Sequence, residues 1–136
     1  MKNDIIIADS SALFSLLIPT DQNYTKAYII GEQLLSSSNT IIIPEEVFSE
    51  LINIIGKKFN HKKAFVAARY LLDTESFLIE NTNKEMRETA LSKFNNQSRS
   101  VSFTDCLVMA FADQFETKII FGFDETFSKN GYKLPA

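Results

Sequence analysis

Four short apolar runs, Asp4-Ile-Ile-Ile-Ala8, Thr40-Ile-Ile-Ile43, Ser76 to Glu80 and Lys118-Ile-Ile-Phe121, alternate along this chain with longer segments of helical periodicity. Runs of β-branched residues this short, apolar at successive positions rather than alternate ones, suit strands buried on both faces. Strands separated by helices form parallel sheets, because a parallel return needs a crossover and the crossover helices cover the sheet. The expectation is an α/β fold with a parallel sheet of four to five strands and helices on both faces. A chain of 136 residues, 45% of them hydrophobic, has the size and apolar content of one domain, residues 1–136, and no linker, repeat or low-complexity segment divides it.

Between the runs, the pattern predicts helices from Ser10 to Ile18, over 22–35, from Pro44 to about Phe59, from His61 to Leu72, from Lys84 to Phe94, and from Phe103 to Phe115. Pro44 suits a first helical turn, where its missing N–H costs nothing, and Glu45 and Glu46 complement the helix dipole there. The Phe103 helix is apolar on most sides, as a central buried helix should be. Glu125 to Lys129 has room for one or two helical turns, and Tyr132 to Leu134 for a short edge strand.

Asp9 and Asp124 sit where the first and fourth strands end, the edge of an open parallel sheet at which ligands bind. Glu50 lies almost two turns into the helix after the second strand, at the border of its apolar arc, and Asp105 opens the helix before the fourth. Each has a plain structural alternative: Asp9 and Asp124 as helix caps, Ser102-Phe-Thr-Asp105 as a capping box, Glu50 as a solvated residue. Gathered together they would repel, by roughly 4 kcal/mol for a pair about 4 Å apart at an effective dielectric of 20. A bound dication would offset this. Oxygen-only ligands select Mg²⁺ or Mn²⁺, whereas zinc would want more than the single His61 and single Cys106. Such ions activate water and stabilise both oxygens of an in-line phosphodiester displacement.

A net charge of -3 supplies no global field for polyanions. Local cations must serve, and the candidates for substrate contact are Arg99, in the loop before Ser102, and the pair Lys57 and Lys58, with solvated surface as the alternative for each. His61 reads as a helix-start residue, Cys106 as a buried thiol and Asp113 as a surface residue. With one cysteine, no leader-like segment and no apolar run long enough to cross a bilayer, the expected compartment is the cytoplasm, with no membrane partner.

The motifs Ile7-Ala-Asp9-Ser-Ser11, Pro44-Glu-Glu-Val-Phe-Ser-Glu50, Ser102-Phe-Thr-Asp105-Cys106 and Phe123-Asp124-Glu-Thr-Phe127 follow one another in the order found in PIN domains, and the chain resembles the VapC toxin nucleases within that family. The resemblance implies a Mg²⁺ site, with Mn²⁺ as a substitute, and endonucleolytic cleavage of RNA by metal-activated water. It makes Asp9, Glu50, Asp105 and Asp124 the metal-binding and catalytic acids, and Ser10 and Thr104 hydroxyls that orient a carboxylate or water. It also implies a homodimer and a cognate antitoxin protein. Two other readings stand beside it, a non-catalytic PIN-like module that binds RNA or protein and a phosphoacceptor signalling domain. The latter wants paired acids after strand one and a lysine at a late strand end, which Ala8-Asp9-Ser10 and Gly122-Phe123 do not supply.

Overall fold

The computed structural model describes residues 3–136. Its four strands are β1 (Ile5–Ala8), β2 (Thr40–Pro44), β3 (Phe77–Glu80) and β4 (Ile120–Phe121), and its helices are α1 (Ser10–Leu17), α2 (Tyr24–Leu35), α3 (Glu45–Lys58), α4 (His61–Asp73), α5 (Lys84–Asn95), α6 (Phe103–Gln114) and α7 (Glu125–Lys129). All strand pairs are parallel, in the order β3-β2-β1-β4. The chain thus adds strands to one side of β1, then crosses back to place β4 on its other side. The carboxyl ends of β1 and β4 flank the point where strand order reverses, the crevice in which open α/β sheets bind ligands.

Successive side chains in a strand point to opposite faces, so the complete burial of Ile6, Ile7 and Ala8 in β1 means that both faces are covered. Helix α6 packs against β1, β2 and β4 and is itself covered by α5, while α3 lies on β2 and β3 and contacts α1 and α4. This double covering explains why all seven residues from Cys106 to Ala112 are buried, a run no amphipathic helix could show. On α3, Val47, Leu51 and Ile55 turn inward, whereas Ile54 remains 39% exposed, so the helix edge that carries Glu50 borders solvent.

The fourth strand is shorter than its apolar run suggests, and the expected edge strand at 132–134 is a single parallel bridge between Ile119 and Lys133. The cause is local. Gly131, at a φ of 92°, turns the chain so that Tyr132 is buried, its hydroxyl donating to Asp113 Oδ1 at 2.6 Å, and only Lys133 remains in register with β4. Asp113, whose other oxygen meets Lys93 Nζ at 2.8 Å, is therefore a fastener for the chain's C-terminal end.

Candidate functional site

Asp9 follows β1 without a break. Its backbone N–H donates to the carbonyl of Phe121 at 2.9 Å, holding the ends of β1 and β4 together, and its side chain caps α1. Oδ2 accepts from the Ser11 hydroxyl at 2.8 Å and from the Ser11 N–H at 3.4 Å. The residue is only 5% exposed. Burial pushes its carboxyl up to about 6, with the charge of Asp105 adding to the rise, while the Ser11 hydroxyl and the N–H groups of Ser11 and Ser10 hold it down. Hydroxyl support thus comes from Ser11, where the family resemblance points to Ser10. Ser10 contributes its N–H, and its side chain lines the neighbouring groove.

The close approach of β4 to Asp9 depends on Gly122. A Cβ there would lie 3.0 Å from the Asp9 Cβ and 2.7 Å from a ring carbon of Phe127, so any side chain would force the two strand ends apart. Two residues on, exposed Asp124 caps α7, its Oδ1 accepting from the Thr126 N–H at 2.8 Å.

Asp105 reaches the same crevice from α6. It completes a reciprocal capping box: Ser102 Oγ accepts from the Asp105 N–H, and Asp105 Oδ2 accepts from the Ser102 N–H, both at 3.1 Å. Its charge raises the carboxyl of Asp9 and also that of Glu50, for which partial burial is the larger cause. Asp105 is therefore the charge that links the acid under β1 to the acid on α3. Asp124 adds to neither shift and lines, with Ser10 and Ser11, the groove beside this trio. As placed, no three His, Cys, Asp or Glu among the described residues close into a cage for an ion. Magnesium does not require one, since it is commonly held by one or two carboxylates, with water and substrate phosphate filling the remaining positions. The donor chemistry fits: all-oxygen, anionic, and electrostatically strained without a counter-charge.

The other candidates divide by position. Thr104 is half-buried beside Asp105, and Arg99 is exposed in the loop before α6. Lys58 lines a groove of about 460 Å³ with Ser10, Ser11 and Asp124, whereas Lys57 turns to a separate cleft between α3 and α4, next to His61. Cys106 is buried, and burial with the nearby Asp105 raises its thiol, keeping it protonated and inert. Sequence reasoning missed Ser11, Gly122 and the Asp21–Asn23 loop that forms one wall of the groove. A glycine directly after an apolar strand was the one available signal, since it marks a close backbone approach.

Against known proteins, the chain is 24% identical over 129 residues to a VapC ribonuclease of Aquifex aeolicus, an alignment covering 93% of each. Among solved structures it resembles VapC20 of Mycobacterium tuberculosis, a toxin that cleaves the sarcin–ricin loop, with a TM-score of 0.82 at 20% identity over 94% of this chain and 96% of that one. The structure of VapBC-1 from nontypeable Haemophilus influenzae matches at a TM-score of 0.68, with 14% identity over 92% of this chain and 90% of that one. VapBC2 from Rickettsia felis, bound to a promoter DNA fragment, matches at 0.72, with 13% identity over 96% of both. The PIN domain profile matches residues 6–132, from within β1 to the buried tyrosine after α7, a span that takes in every strand and all four acids; the chain belongs to the PIN domain family.

Proposed function

We propose that the chain, as one domain over residues 1–136, is a metal-dependent endoribonuclease and the toxin of a toxin–antitoxin pair. The observation that carries this reading is the coupling of Asp9 and Glu50 through Asp105 at the carboxyl ends of β1 and β4. One carboxylate that raises the proton affinity of two others would favour a hard dication among them. Asp9 and Asp105 would be the principal ligands of Mg²⁺, or of Mn²⁺ in its place, with Glu50 and Asp124 completing the acidic set. When bound, the ion supplies an activated water and neutralises charge on the phosphodiester. Ser11 fixes the Asp9 carboxylate through Oδ2, and the capping box fixes Asp105 through its own Oδ2, so both acids are held before an ion arrives. Glu50, exposed and with its carboxyl raised by partial burial and Asp105, would take the proton of the attacking water. Ser10, Thr104, Arg99 and Lys58 would contact water or RNA around this centre.

An antitoxin partner and a homodimer belong to the same reading. VapBC pairs are among the structures of similar fold, and α4 exposes Phe65 and Val66 at 65% and 60%, a degree of apolar exposure suited to a protein partner. No helix among the described residues is long and apolar enough to cross a membrane. A non-catalytic RNA- or protein-binding module shares the open arrangement of the acids, and activity separates the two. The purified chain, incubated with ribosomal RNA and tRNA, should cut with Mg²⁺ or Mn²⁺ and stop in EDTA. Asp105→Asn should abolish cleavage while Glu88→Gln, on the exposed side of α5, leaves it intact. Equal cleavage by Asp105→Asn would remove the site assignment. Growth arrest on expression, relieved by co-expressing an adjacent reading frame, tests the toxin role.

A further inference from the structure

The groove beside the acids is larger than a metal site needs. At about 460 Å³ it falls in the range of small-ligand pockets, and Asp124, Ser10 and Ser11 on its lining make it continuous with the acidic crevice. Its other walls are chemically mixed. Phe14 from α1 and Phe123 from the β4–α7 turn bring aromatic rings, each with a lysine on its face: Lys58 Nζ lies 5.5 Å from the Phe14 centroid and Lys26 Nζ 5.1 Å from that of Phe123. Both lysines are exposed, so the ring face beneath each is covered by a solvated side chain that a ligand could displace. Asn23 occupies the N-cap position of α2 yet makes no side-chain capping bond; Asp21, whose Oδ2 accepts from the Ser15 hydroxyl at 2.7 Å and from the Asn23 N–H at 3.0 Å, fixes the loop instead. The Asn23 carboxamide is left with a donor and an acceptor and no partner among the described residues.

Ring faces covered by displaceable lysines, an unengaged amide and two ammonium groups, next to acids suited to phosphodiester chemistry, match the parts of one nucleotide. We propose that this groove is a base-binding subsite, holding a nucleotide of single-stranded RNA adjacent to the scissile phosphate. The base stacks on Phe14 or Phe123, Asn23 hydrogen-bonds its edge, and Lys58 and Lys26 move from the rings to the flanking phosphates. The site would read RNA that is unpaired at the cut, because a base within a helix cannot leave its stack to enter the groove at low cost. This rests on the ribonuclease reading and adds a determinant of where the chain cuts.

The test pairs changes in RNA with changes in protein. A short RNA substrate is synthesised with a single abasic nucleotide at each position flanking the cut, and kcat/KM is measured with Mn²⁺ for the unaltered chain and for Phe123→Ala, Phe14→Leu and Asn23→Ala. For the unaltered chain, one abasic position should lower kcat/KM by about 10-fold, the scale of one lost base–aromatic stack. Phe123→Ala should lower it similarly on intact RNA, and the two changes together should cost little more than either alone. Asn23→Ala, a change to an N-cap side chain with no capping bond, should alter base preference at that position only. Multiplicative effects, or no sensitive position, would overturn the subsite while cleavage itself stands. A chain that cuts no RNA would overturn the ribonuclease reading and the subsite with it.

Discussion

Replacing Asp9 by Asn should make the metal-free protein more stable at neutral pH and leave it unable to gain from metal. The Asp9 carboxyl titrates near 3.8 in the unfolded chain and at about 6 in the fold, because burial and Asp105 disfavour its charge more than the Ser11 bonds favour it. A folded pKa above the unfolded one means that the native state binds more protons between these values. Stability therefore falls as pH rises from about 4 to about 6, and the cost is fully present above that window. At about 1.4 kcal/mol per pKa unit, the ionised carboxylate costs the fold about 3 kcal/mol at pH 8. Asn resembles the protonated acid and keeps a carbonyl acceptor for Ser11, but its amide brings an additional N–H into the buried site, a cost of about 1 kcal/mol. The net expectation is that Asp9→Asn is about 2 kcal/mol more stable in EDTA at pH 8, or about 7 °C in Tm for a chain of this length. The two proteins should be nearly equal at pH 4. Urea and thermal melts at both pH values read this directly. With Mn²⁺ at 100 times its Kd the order should reverse, since the unaltered protein gains about 2.7 kcal/mol and the variant does not. An Asp9→Asn protein less stable than its parent at pH 8 in EDTA, or a gap that ignores pH, would refute the account of a buried charge awaiting a counter-ion.

Other perturbations probe the supports of the site. Gly122→Ala places a methyl 2.7 Å from the Phe127 ring and 3.0 Å from the Asp9 Cβ, and should cost about 1–3 kcal/mol in denaturant melts and depress cleavage by spreading β1 from β4. Ser11→Ala removes the 2.8 Å hydroxyl bond to Asp9, so the Asp9 carboxyl should rise further and the acid limb of the pH–rate profile should move to higher pH; an unmoved limb would separate Ser11 from the chemistry. Asp124→Ser keeps an oxygen able to cap α7 while removing the charge: unchanged melting with lost cleavage would make Asp124 a member of the site, and unchanged cleavage would leave it a cap.

Much of the fold is legible in the chain because its signals are local and mutually consistent. Three isoleucines in a row in β1 and β2 make sense only as strands covered on both sides, and the asparagines before α4 and α5 cap the helices that their positions announce. Element boundaries fail where tertiary contacts decide them. The shortened β4 follows from the burial of Tyr132 against Asp113, a pairing across 19 residues that no local pattern encodes. The site is legible as four acids in order, but not as the arrangement they adopt. Whether Ser10 or Ser11 reaches Asp9 depends on which of two adjacent hydroxyls the first turn of α1 aims backwards. That Lys57 and Lys58 serve different grooves follows from the roughly 100° between neighbours on a helix.

Capping and ligation read from sequence as rival roles for these acids, and the geometry makes them complementary. A carboxylate has two oxygens and about four lone-pair directions, while a helix cap uses one oxygen. Asp105 commits Oδ2 to Ser102, Asp124 commits Oδ1 to Thr126, and the side-chain hydroxyl on Asp9 falls on Oδ2. The cap orients each group at a fixed point on a rigid element, and on Asp105 and Asp124 it commits one oxygen of the two. It also sets a limit on charge, since the positive ends of α1 and α6 favour carboxylates that would otherwise repel one another. For Asp9 that compensation is incomplete, as its raised carboxyl shows, and the remainder is what a dication would relieve. A sheet that ends its strands in capping acids at the reversal of strand order thus gathers, from the needs of helix initiation alone, the kind of oxygen donors that the proposed hard-metal site would use.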